Sequence, residues 1–345
     1  MRTAVVLFNL GGPGSLDDVK PFLFNLFYDP AIIRLPNPLR WLVAKLISSR
    51  RAPVAREIYK KLGGSSPILG QTYNQASALQ SALQGGENHV EVFVAMRYSP
   101  PRATDVVEQV RRFRPDRIVL LPLYPQFSTT TSRSSVREWL SEARSRKLDA
   151  PTLTLCCYAT DSGFVDAYAD LIRETVRTVP QGLKYRVLFS AHGLPENVVR
   201  GGDPYQAQVE QSAAAIASAL GIEGLDWRIS YQSRVGPLKW IGPATETEIE
   251  AAGKEGKALV VVPVAFVSEH SETLVELDIE YAEKAHESGI PHYARVPAVG
   301  THPAFISGLA ALVKTHLGRT GTTSGTGKRV CPGTCSQCAM QDQAA

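Results

Sequence analysis

Two short stretches of the chain nearly repeat one another, and they decide the fold. Val6–Pro13 reads VLFNLGGP, and Val187–Pro195 reads VLFSAHGLP. Further along each half, Leu121–Ser128 (LPLYPQFS) corresponds to Val262–Glu269 (VPVAFVSE). Each stretch is an apolar run that ends in small or polar residues, which is typical of a buried strand followed by a turn. The repeat therefore predicts two similar halves.

Apolar runs alternate with amphipathic segments throughout the chain. Strands are predicted near residues 3–9, 90–96, 117–122, 152–157, 185–190, 227–232, 258–264 and 292–296. Helices are predicted over residues 66–84, 103–113, 163–178, 203–219 and 302–316. Near-continuous apolar strands are expected in parallel sheets that helices cover on both faces. The pattern predicts an α/β fold with two similar domains, each a four-stranded parallel sheet flanked by helices.

Length and composition describe an ordinary globular protein with two domains. The 345 residues exceed what one core usually holds, and the apolar and charged fractions are 44% and 20%. The net charge is +4, and the basic residues are scattered, so nucleic-acid binding is not predicted. The chain enters a strand at its start, and no apolar run reaches the length of about 18–20 residues that spans a bilayer. We expect a cytoplasmic protein.

An apolar insertion separates the first two strands. Residues 16–50 are its source, and the stretch FLFNLFYDPAIIRLPNPLRWLVAKLISSRR, from Phe22 to Arg51, covers most of them. Helices this apolar pack in a core, cover an apolar ligand or lie on a membrane surface, and core packing is the commonest of the three. The basic residues in this segment that would meet anionic headgroups are Arg34, Arg40, Lys45 and Arg50.

The predicted domains are residues 1–162, which include the insertion, and residues 163–316. After about residue 317 the sequence GRTGTTSGTGKR has the composition of a flexible linker, and residues 317–345 are predicted to be a linker with a cysteine-rich extension.

The cysteines form two groups, one in mid-chain and one near the C-terminus. They are Cys156, Cys157, Cys331, Cys335 and Cys338. An odd number of cysteines in a reducing compartment argues against a disulfide framework. The three clustered thiols are one short of a Cys₄ metal site, and a mid-chain cysteine is a candidate fourth ligand. A zinc site and thiols without metal are the alternatives.

Polar residues follow several predicted strands, at the edge where open α/β sheets bind ligands. They are Gly11–Gly14, Arg97 with Tyr98, Ser190–His192 and Glu269–Glu272. The GGPG stretch lacks the G-x-G-x-x-G spacing of a dinucleotide loop, so we interpret its glycines as room for a ligand close to the backbone.

The stretch Ser268–Tyr281, SEHSETLVELDIEY, carries one histidine and five carboxylates. Glu272, Glu276 and Glu280 repeat every fourth residue, so a helix would place them in one row. A solvated acidic face is the ordinary explanation of such a row. Here the row begins beside His270 at a ligand-binding edge, which favours a path for a cation.

Imidazole and carboxylate ligands together suit a divalent metal such as Fe(II). His192 follows its own strand, so its side chain should emerge at the same kind of edge. A structural histidine that bonds a loop carbonyl is the alternative for His192. With His270 as a second candidate, one histidine could bind metal while the other takes up protons.

These motifs resemble the ferrochelatase family, whose members insert Fe(II) into a porphyrin. The resemblance lies in NLGGPGS, GGSSPI, SAHGLP, GDPY, YQSRVGPLKWIGP and SEHSETLVELDIEY, which run in one order from about residue 3 to residue 315. It implies two Rossmann-like domains with a porphyrin cleft between them, a chelatase-like fold. It also implies a lyase that makes protohaem from protoporphyrin IX and Fe(II), the terminal step of haem biosynthesis. A haem-delivery protein without catalysis and a cobalt chelatase are the rival hypotheses.

Carried over by position, the resemblance implies that His192 accepts pyrrole protons or binds metal, with Glu272 as its partner in metal binding. His270, Glu276 and Glu280 complete the catalytic group. Arg50, Arg51 and Ser66 match contacts to the porphyrin propionates. The other substrate-binding residues implied by the resemblance are Leu10, Arg97, Tyr98, Trp240 and Phe266.

Some members of this family carry a [2Fe–2S] cluster with three ligands near the C-terminus and one in mid-chain. The resemblance implies the ligands Cys157, Cys331, Cys335 and Cys338, although the C-terminal spacing departs from the animal pattern. It further implies a homodimer, and we expect peripheral contact of residues 16–50 with the inner membrane.

Overall fold

A computed structural model describes residues 1–85, 89–234 and 236–341. The chain divides into two compact units. The first unit is Met1–Cys157 with Ala310–Arg329, and the second is Tyr158–Leu309 with Val330–Ala345. The division lies close to the expected boundary after residue 162. The C-terminal segment is shared between the two units, whereas the sequence suggested a separate extension.

The strands, numbered along the chain, are β1 Arg2–Asn9, β2 His89–Met96, β3 Arg117–Pro122, β4 Thr152–Leu155, β5 Tyr185–His192, β6 Trp227–Gln232, β7 Ala258–Pro263, β8 Tyr293–Arg295 and β9 Gly321–Thr323. The α-helices are α1 Val19–Tyr28, α2 Leu39–Lys61, α3 Ile68–Leu83, α4 Ala103–Phe113, α5 Ser132–Ser145, α6 Ser162–Val176, α7 Glu196–Arg200, α8 Tyr205–Leu220, α9 Thr245–Lys254, α10 Tyr281–Glu287 and α11 Pro303–His316. A π-helix, Glu272–Glu280, leads directly into α10.

Both units use the same strand order. The first sheet runs β2-β1-β3-β4-β9, the second runs β6-β5-β7-β8, and neighbouring strands are parallel. The two strands that carry the repeated VLF sequence, β1 and β5, therefore hold equivalent central places. The α/β fold with two similar units is confirmed, and each of the eight predicted strands is present.

The first sheet has a fifth strand that the sequence analysis missed. Strand β9 pairs in parallel with β4, with Thr322 opposite Thr154. The prediction of a flexible linker is wrong for this segment, because its backbone extends the edge of the sheet. A run of glycine and threonine carries no apolar pattern, so only the pairing with β4 defines it as a strand.

Burial explains why the central strands form. Every residue of β7 is buried, as are Ala4–Asn9 of β1 and Arg186–Ala191 of β5. A strand that helices cover on both faces is expected to be largely apolar, and these runs are. Their buried polar side chains, Asn9, Arg186 and Ser190, each make hydrogen bonds. The carboxyl ends of β5, β6 and β7 consequently lie side by side at one edge of the second sheet.

The apolar insertion has an inner and an outer side. Inside, Val19, Phe22 and Leu23 of α1 pack with Ala52 and Tyr59 of α2, which confirms core packing for part of the segment. On the outer side, α2 exposes apolar side chains at the spacing of one helix face, namely Leu39, Leu42 and Leu46.

In the part of the chain that the structure describes, no helix combines the length and apolarity needed to cross a bilayer.

Candidate active site

His192 and Glu272 form an ion pair at the carboxyl edge of the second sheet. His192 is the last residue of β5, and Glu272 is the first residue of the π-helix that follows β7. The Nδ1 atom of His192 lies 3.0 Å from Oε2 of Glu272, which is hydrogen-bonding distance. Both side chains are partly exposed, at 37% and 27%, so a ligand can reach them.

Each member of the pair shifts the pKa of the other in the direction that stabilises the ion pair. Burial lowers the pKa of His192, but the charge and hydrogen bond of Glu272 outweigh burial and raise that pKa above its usual value. Burial likewise raises the pKa of Glu272, and the His192 charge reverses the effect and holds it well below its usual range. The pair therefore holds one proton firmly, on the imidazole.

The acidic segment forms a π-helix, whereas the sequence spacing predicted an ordinary helix. Hydrogen bonds in a π-helix run from i to i+5, and the Tyr281 N–H accordingly donates to the Glu276 carbonyl. Such wide turns are rare and occur mainly at functional sites. Residues four apart remain on nearly the same side of it. Glu272 and Glu276 are partly buried, and Glu280 is exposed.

Glu276 is held by residues at the end of β6. The Gln232 side chain donates to Oε2 of Glu276 at 3.0 Å and to the Glu272 carbonyl at 3.0 Å. The Ser233 N–H donates to Oε1 at 2.7 Å, and the Ser233 hydroxyl donates to Oε2. Burial and the neighbouring Glu272 charge raise the pKa of Glu276 despite these hydrogen bonds. Glu276 is therefore the carboxylate of the row best suited to take up a proton.

Ser233 adopts a backbone conformation that is unusual for a serine. Its φ is +60°, in the left-handed region that few residues other than glycine enter. This conformation points both the N–H and the hydroxyl of Ser233 at one carboxylate. Backbone strain of this kind occurs preferentially at functional sites. The sequence analysis missed Gln232 and Ser233, although their position at the end of the predicted strand β6 was a usable signal.

His270 approaches the same carboxylate from the loop after β7. Its Nδ1 faces the Ser268 carbonyl at 3.1 Å, and its Nε2 lies 3.6 Å from Oε2 of Glu272. The ring is 7% exposed and packs edge-on against Phe266, with ring centroids 4.7 Å apart. Trp240 lies edge-on to His192, with ring centroids 6.5 Å apart. Five predicted site residues thus lie around Glu272 in this structure. They are His192, Trp240, Phe266, His270 and Glu276.

Two of the five acidic residues in this stretch hold the helix in place. The Arg295 side chain donates to both carboxylate oxygens of Asp278, at 2.6 and 2.7 Å, and to Glu269. Arg295 ends β8, so this bidentate ion pair ties the π-helix to the edge strand. The Tyr293 hydroxyl adds a hydrogen bond to the Leu277 carbonyl at 2.7 Å. Only Glu272, Glu276 and Glu280 then remain for chemistry.

In the first unit, predicted site residues gather at the ends of β1 and β2. The Tyr98 N–H donates to the Leu10 carbonyl at 3.0 Å. A Cβ atom on Gly12 would lie 2.5 Å from Cβ of Ser66, so glycine is needed for this close approach. Leu10 and Ser66 are partly buried.

Arg97 and Tyr98 belong to a buried polar cluster around Asp29, which directly follows α1. The Arg97 guanidinium lies 2.8 Å and the Tyr98 hydroxyl 2.9 Å from Oδ2 of Asp29, and Ser134 also donates to that oxygen. Tyr98 is 1% exposed. Burial raises the pKa of Asp29, and the Arg97 charge and the hydrogen bonds lower it below its usual value. The carboxylate therefore anchors the end of α1 to the sheet.

Arg50 and Arg51 lie in the middle of α2, and both are exposed. The Arg51 guanidinium stands over the Phe27 ring, 5.9 Å from its centroid. The insertion thus presents two cations beside its apolar helices.

The cysteine side chains are all buried. Cys156 and Cys157 follow β4, with their sulfur atoms 3.5 Å apart. In the tail, the Gln208 carboxamide donates to Sγ of Cys331 at 3.1 Å. Hydrogen bonds of this kind are common around thiolate ligands of metals. Within residues 1–85, 89–234 and 236–341, no three His, Cys, Asp or Glu side chains are arranged to hold a metal ion.

The ion pair predicts a measurable change in the titration of His192. Replacing Glu272 with Gln removes the charge that raises the His192 pKa and leaves the effect of burial, so that pKa should fall below its wild-type value. Histidine NMR titration of the two proteins measures it. Glu283→Gln, an exposed residue of α10, is the matched control and should leave the His192 titration unchanged. Equal His192 pKa values in wild type and Glu272→Gln would contradict the pair.

Comparison with known proteins assigns the chain to a family. The family model described as Ferrochelatase matches residues 2–317. A ferrochelatase of Pelagibacter ubique is 53% identical over 91% of this chain and 91% of its own length. Those of Phenylobacterium zucineum and Caulobacter vibrioides are 52% and 50% identical, each over 99% of both chains.

Solved structures agree at the level of fold. SirB from Bacillus subtilis, solved with Fe³⁺, aligns with a TM-score of 0.53 at 13% identity, over 91% of this chain and 95% of that one. The sirohydrochlorin chelatase SirB from Bacillus subtilis subspecies spizizenii, in complex with cobalt, aligns with a TM-score of 0.51 at 10% identity, over 89% and 92%. The family match over residues 2–317 and the identities of 50–53% with curated relatives show that the chain belongs to the ferrochelatase family.

Proposed function

We propose that the His192–Glu272 pair performs the metal-insertion step of the ferrochelatase reaction. The chain is a metal–porphyrin chelatase, a lyase that inserts Fe(II) into protoporphyrin IX in the terminal step of haem biosynthesis. The reaction replaces two pyrrole N–H protons with one Fe(II) ion, so the site must accept protons and attract a dication. The 3.0 Å contact of an imidazole with a carboxylate at an accessible edge carries the proposal.

Electrostatics link the two tasks of the pair. Without metal, the Glu272 charge keeps His192 protonated, and an imidazolium can neither bind metal nor accept a proton. Fe(II) that binds at Glu272 neutralises this charge, so the His192 pKa falls and the ring becomes a base. His192 is thus neutral when the metal is present. Glu276, with its raised pKa, is the next acceptor for a proton that leaves the pair.

The porphyrin contacts are proposed from the placement of each residue. Arg50 and Arg51 are exposed cations suited to the propionates, and Ser66 offers a hydroxyl. Trp240 and Phe266 present aromatic rings beside the two histidines. We assign Leu10 to the apolar contacts of the ring. The polar groups of Arg97 and Tyr98 already bind Asp29, so we propose that these two residues position α1.

Removal of the imidazole tests the mechanism. His192→Ala should lower the rate of Fe(II) insertion by about 10²–10⁴-fold, the usual contribution of a general base. Porphyrin binding, measured by quenching of protein fluorescence, should stay close to wild type. The assay mixes protein, protoporphyrin IX and Fe(II) without oxygen and follows the porphyrin spectrum. His286→Ala, an exposed histidine of α10, is the control and should turn over normally.

The same assay separates the rival functions. A porphyrin carrier would leave the spectrum of the wild-type mixture unchanged, and a cobalt chelatase would act only with Co(II) and a more heavily carboxylated ring. Normal turnover by His192→Ala would remove His192 from the mechanism.

We also propose that Cys157, Cys331, Cys335 and Cys338 bind a [2Fe–2S] cluster. Four buried thiols have the donor chemistry of such a cluster, and the N–H···S contact from Gln208 to Cys331 supports a thiolate there. A bound cluster would cross-link these four residues and stabilise the tail.

The two adjacent cysteines provide a matched test of the cluster. Cys157→Ser should abolish the visible absorption that is lost on reduction, together with the bound iron and sulfide, and Cys156→Ser should keep them. A colourless wild-type protein that contains zinc would show a zinc site instead. A colourless protein without any metal would show that these thiols hold none.

We propose that the insertion rests on a membrane surface as a peripheral contact. The outer face of α2 combines the exposed Leu39, Leu42 and Leu46 with the cations Arg40 and Lys45. Apolar side chains flanked by basic residues are typical of helices that lie in the headgroup region. The homodimer implied by the family resemblance stays a prediction.

Vesicle binding tests the membrane contact. The variant Leu42→Glu/Leu46→Glu should lose co-sedimentation with anionic vesicles at low salt, because two charges replace apolar side chains that would enter the bilayer surface. Ile222→Glu, which changes an exposed apolar residue of the second unit, should sediment like wild type. Absence of wild-type binding would rule out the contact.

A further inference from the structure

One face of the second sheet carries a row of polar side chains near the carboxyl ends of β5 and β6. Strand residues two apart point to the same face, so Ser190 and His192 of β5 share a face. In the parallel pairing they stand opposite Ser230 and Gln232 of β6. Ser190, Ser230 and Gln232 are fully buried. Buried polar groups are unfavourable unless they are hydrogen-bonded, so their partners indicate what they do.

Ser190 binds the side chain of Gln232. The Ser190 hydroxyl donates to the carboxamide oxygen of Gln232 at 2.8 Å. The amino group of this carboxamide has two N–H bonds, which donate to the Glu272 carbonyl and to Oε2 of Glu276, each at 3.0 Å. The carboxamide therefore links the sheet, at its oxygen, to the π-helix, at its nitrogen.

Thr245, the first residue of α9, extends this link further into the core. Its hydroxyl oxygen lies 3.1 Å from Oγ of Ser190 and 3.0 Å from Oγ of Ser230, and the residue is fully buried. Three hydroxyls thus form a buried chain that ends at the Gln232 oxygen. Hydrogen bonds in such a chain polarise and strengthen one another. The chain therefore stabilises Ser190 in its place beside the carboxamide.

Loss of the Ser190 hydroxyl would remove the donor from a buried carbonyl oxygen. A buried acceptor without a donor is unfavourable, so the flexible Gln232 side chain would turn to find another partner. Its N–H groups would then leave the Glu272 carbonyl and the Glu276 carboxylate. Both contacts to the π-helix therefore depend on Ser190.

We infer that Ser190 is a positioning residue for metal insertion, which holds the Gln232 carboxamide in the orientation that fixes the first turn of the π-helix. Thr245 supports Ser190 in this role. The two hydroxyls are buried, so they act through Gln232 and do not touch the substrate. The inference rests on the proposed function, because the groups that it places are Glu272 and Glu276.

A double-mutant cycle tests whether the hydroxyl acts through the carboxamide. Fe(II) insertion into protoporphyrin IX is measured without oxygen for wild type, Ser190→Ala, Gln232→Met and the double variant. Ser190→Ala should lower kcat about tenfold, a usual effect of outer partners at metal sites, and should leave the KM for protoporphyrin IX unchanged. In the Gln232→Met background the same change should have no further effect, because the group that Ser190 positions is gone.

Two more variants complete the experiment. Thr245→Val removes the supporting hydroxyl at nearly constant volume and should lower kcat by a smaller factor, which keeps the test valid even if Ser190→Ala folds poorly. Ser212→Ala is the matched control. Ser212 is a fully buried serine of the same unit whose hydroxyl donates to the Ala159 carbonyl at 2.7 Å, and its variant should turn over like wild type.

Three results would overturn the inference. They are a wild-type kcat in both Ser190→Ala and Thr245→Val, an equal loss from Ser190→Ala with and without Gln232→Met, and a loss in Ser212→Ala as large as that in Ser190→Ala. The last would mean that removal of any buried hydroxyl has the same effect. No metal insertion by wild type would instead overturn the proposed function.

Discussion

The contact between His192 and Glu272 is the interaction on which the site depends. An imidazole and a carboxylate 3.0 Å apart share one proton, and each holds the other in its charged form. A dication bound at Glu272 would disfavour that proton on the neighbouring imidazole. The pair can therefore exchange a proton for a metal ion without any redox step. We propose that the remaining side chains of the site fix its geometry or carry the proton away.

The surrounding framework keeps this pair in register. Arg295 ties the π-helix to strand β8 through Asp278, and Gln232 binds both the Glu272 carbonyl and the Glu276 carboxylate. Ser233, in its left-handed conformation, fixes the other side of Glu276. All four strands of the second sheet thus contribute to one site, because the carboxyl ends of parallel strands lie at the same sheet edge.

Much of this arrangement could be predicted from the sequence. Apolar runs located strands β1 to β8, and the ends of β5 and β7 predicted that His192 and the acidic stretch would be neighbours. Strand β9 could not be predicted, because its glycines and threonines resemble a linker until they pair with β4. The role of Ser233 was also hidden, since it depends on a rare backbone conformation. Local patterns reveal burial and periodicity, whereas such contacts arise only from the folded backbone.

The central claim, that Fe(II) replaces a proton in the His192–Glu272 pair, is tested most directly by proton release on metal binding alone. Fe(II) is added without oxygen to porphyrin-free protein near pH 7, and the protons released per bound ion are measured with an indicator dye. The account predicts release of about one proton by wild type and much less by Glu272→Gln. Binding of Fe(II) to the wild-type protein without proton release would contradict it.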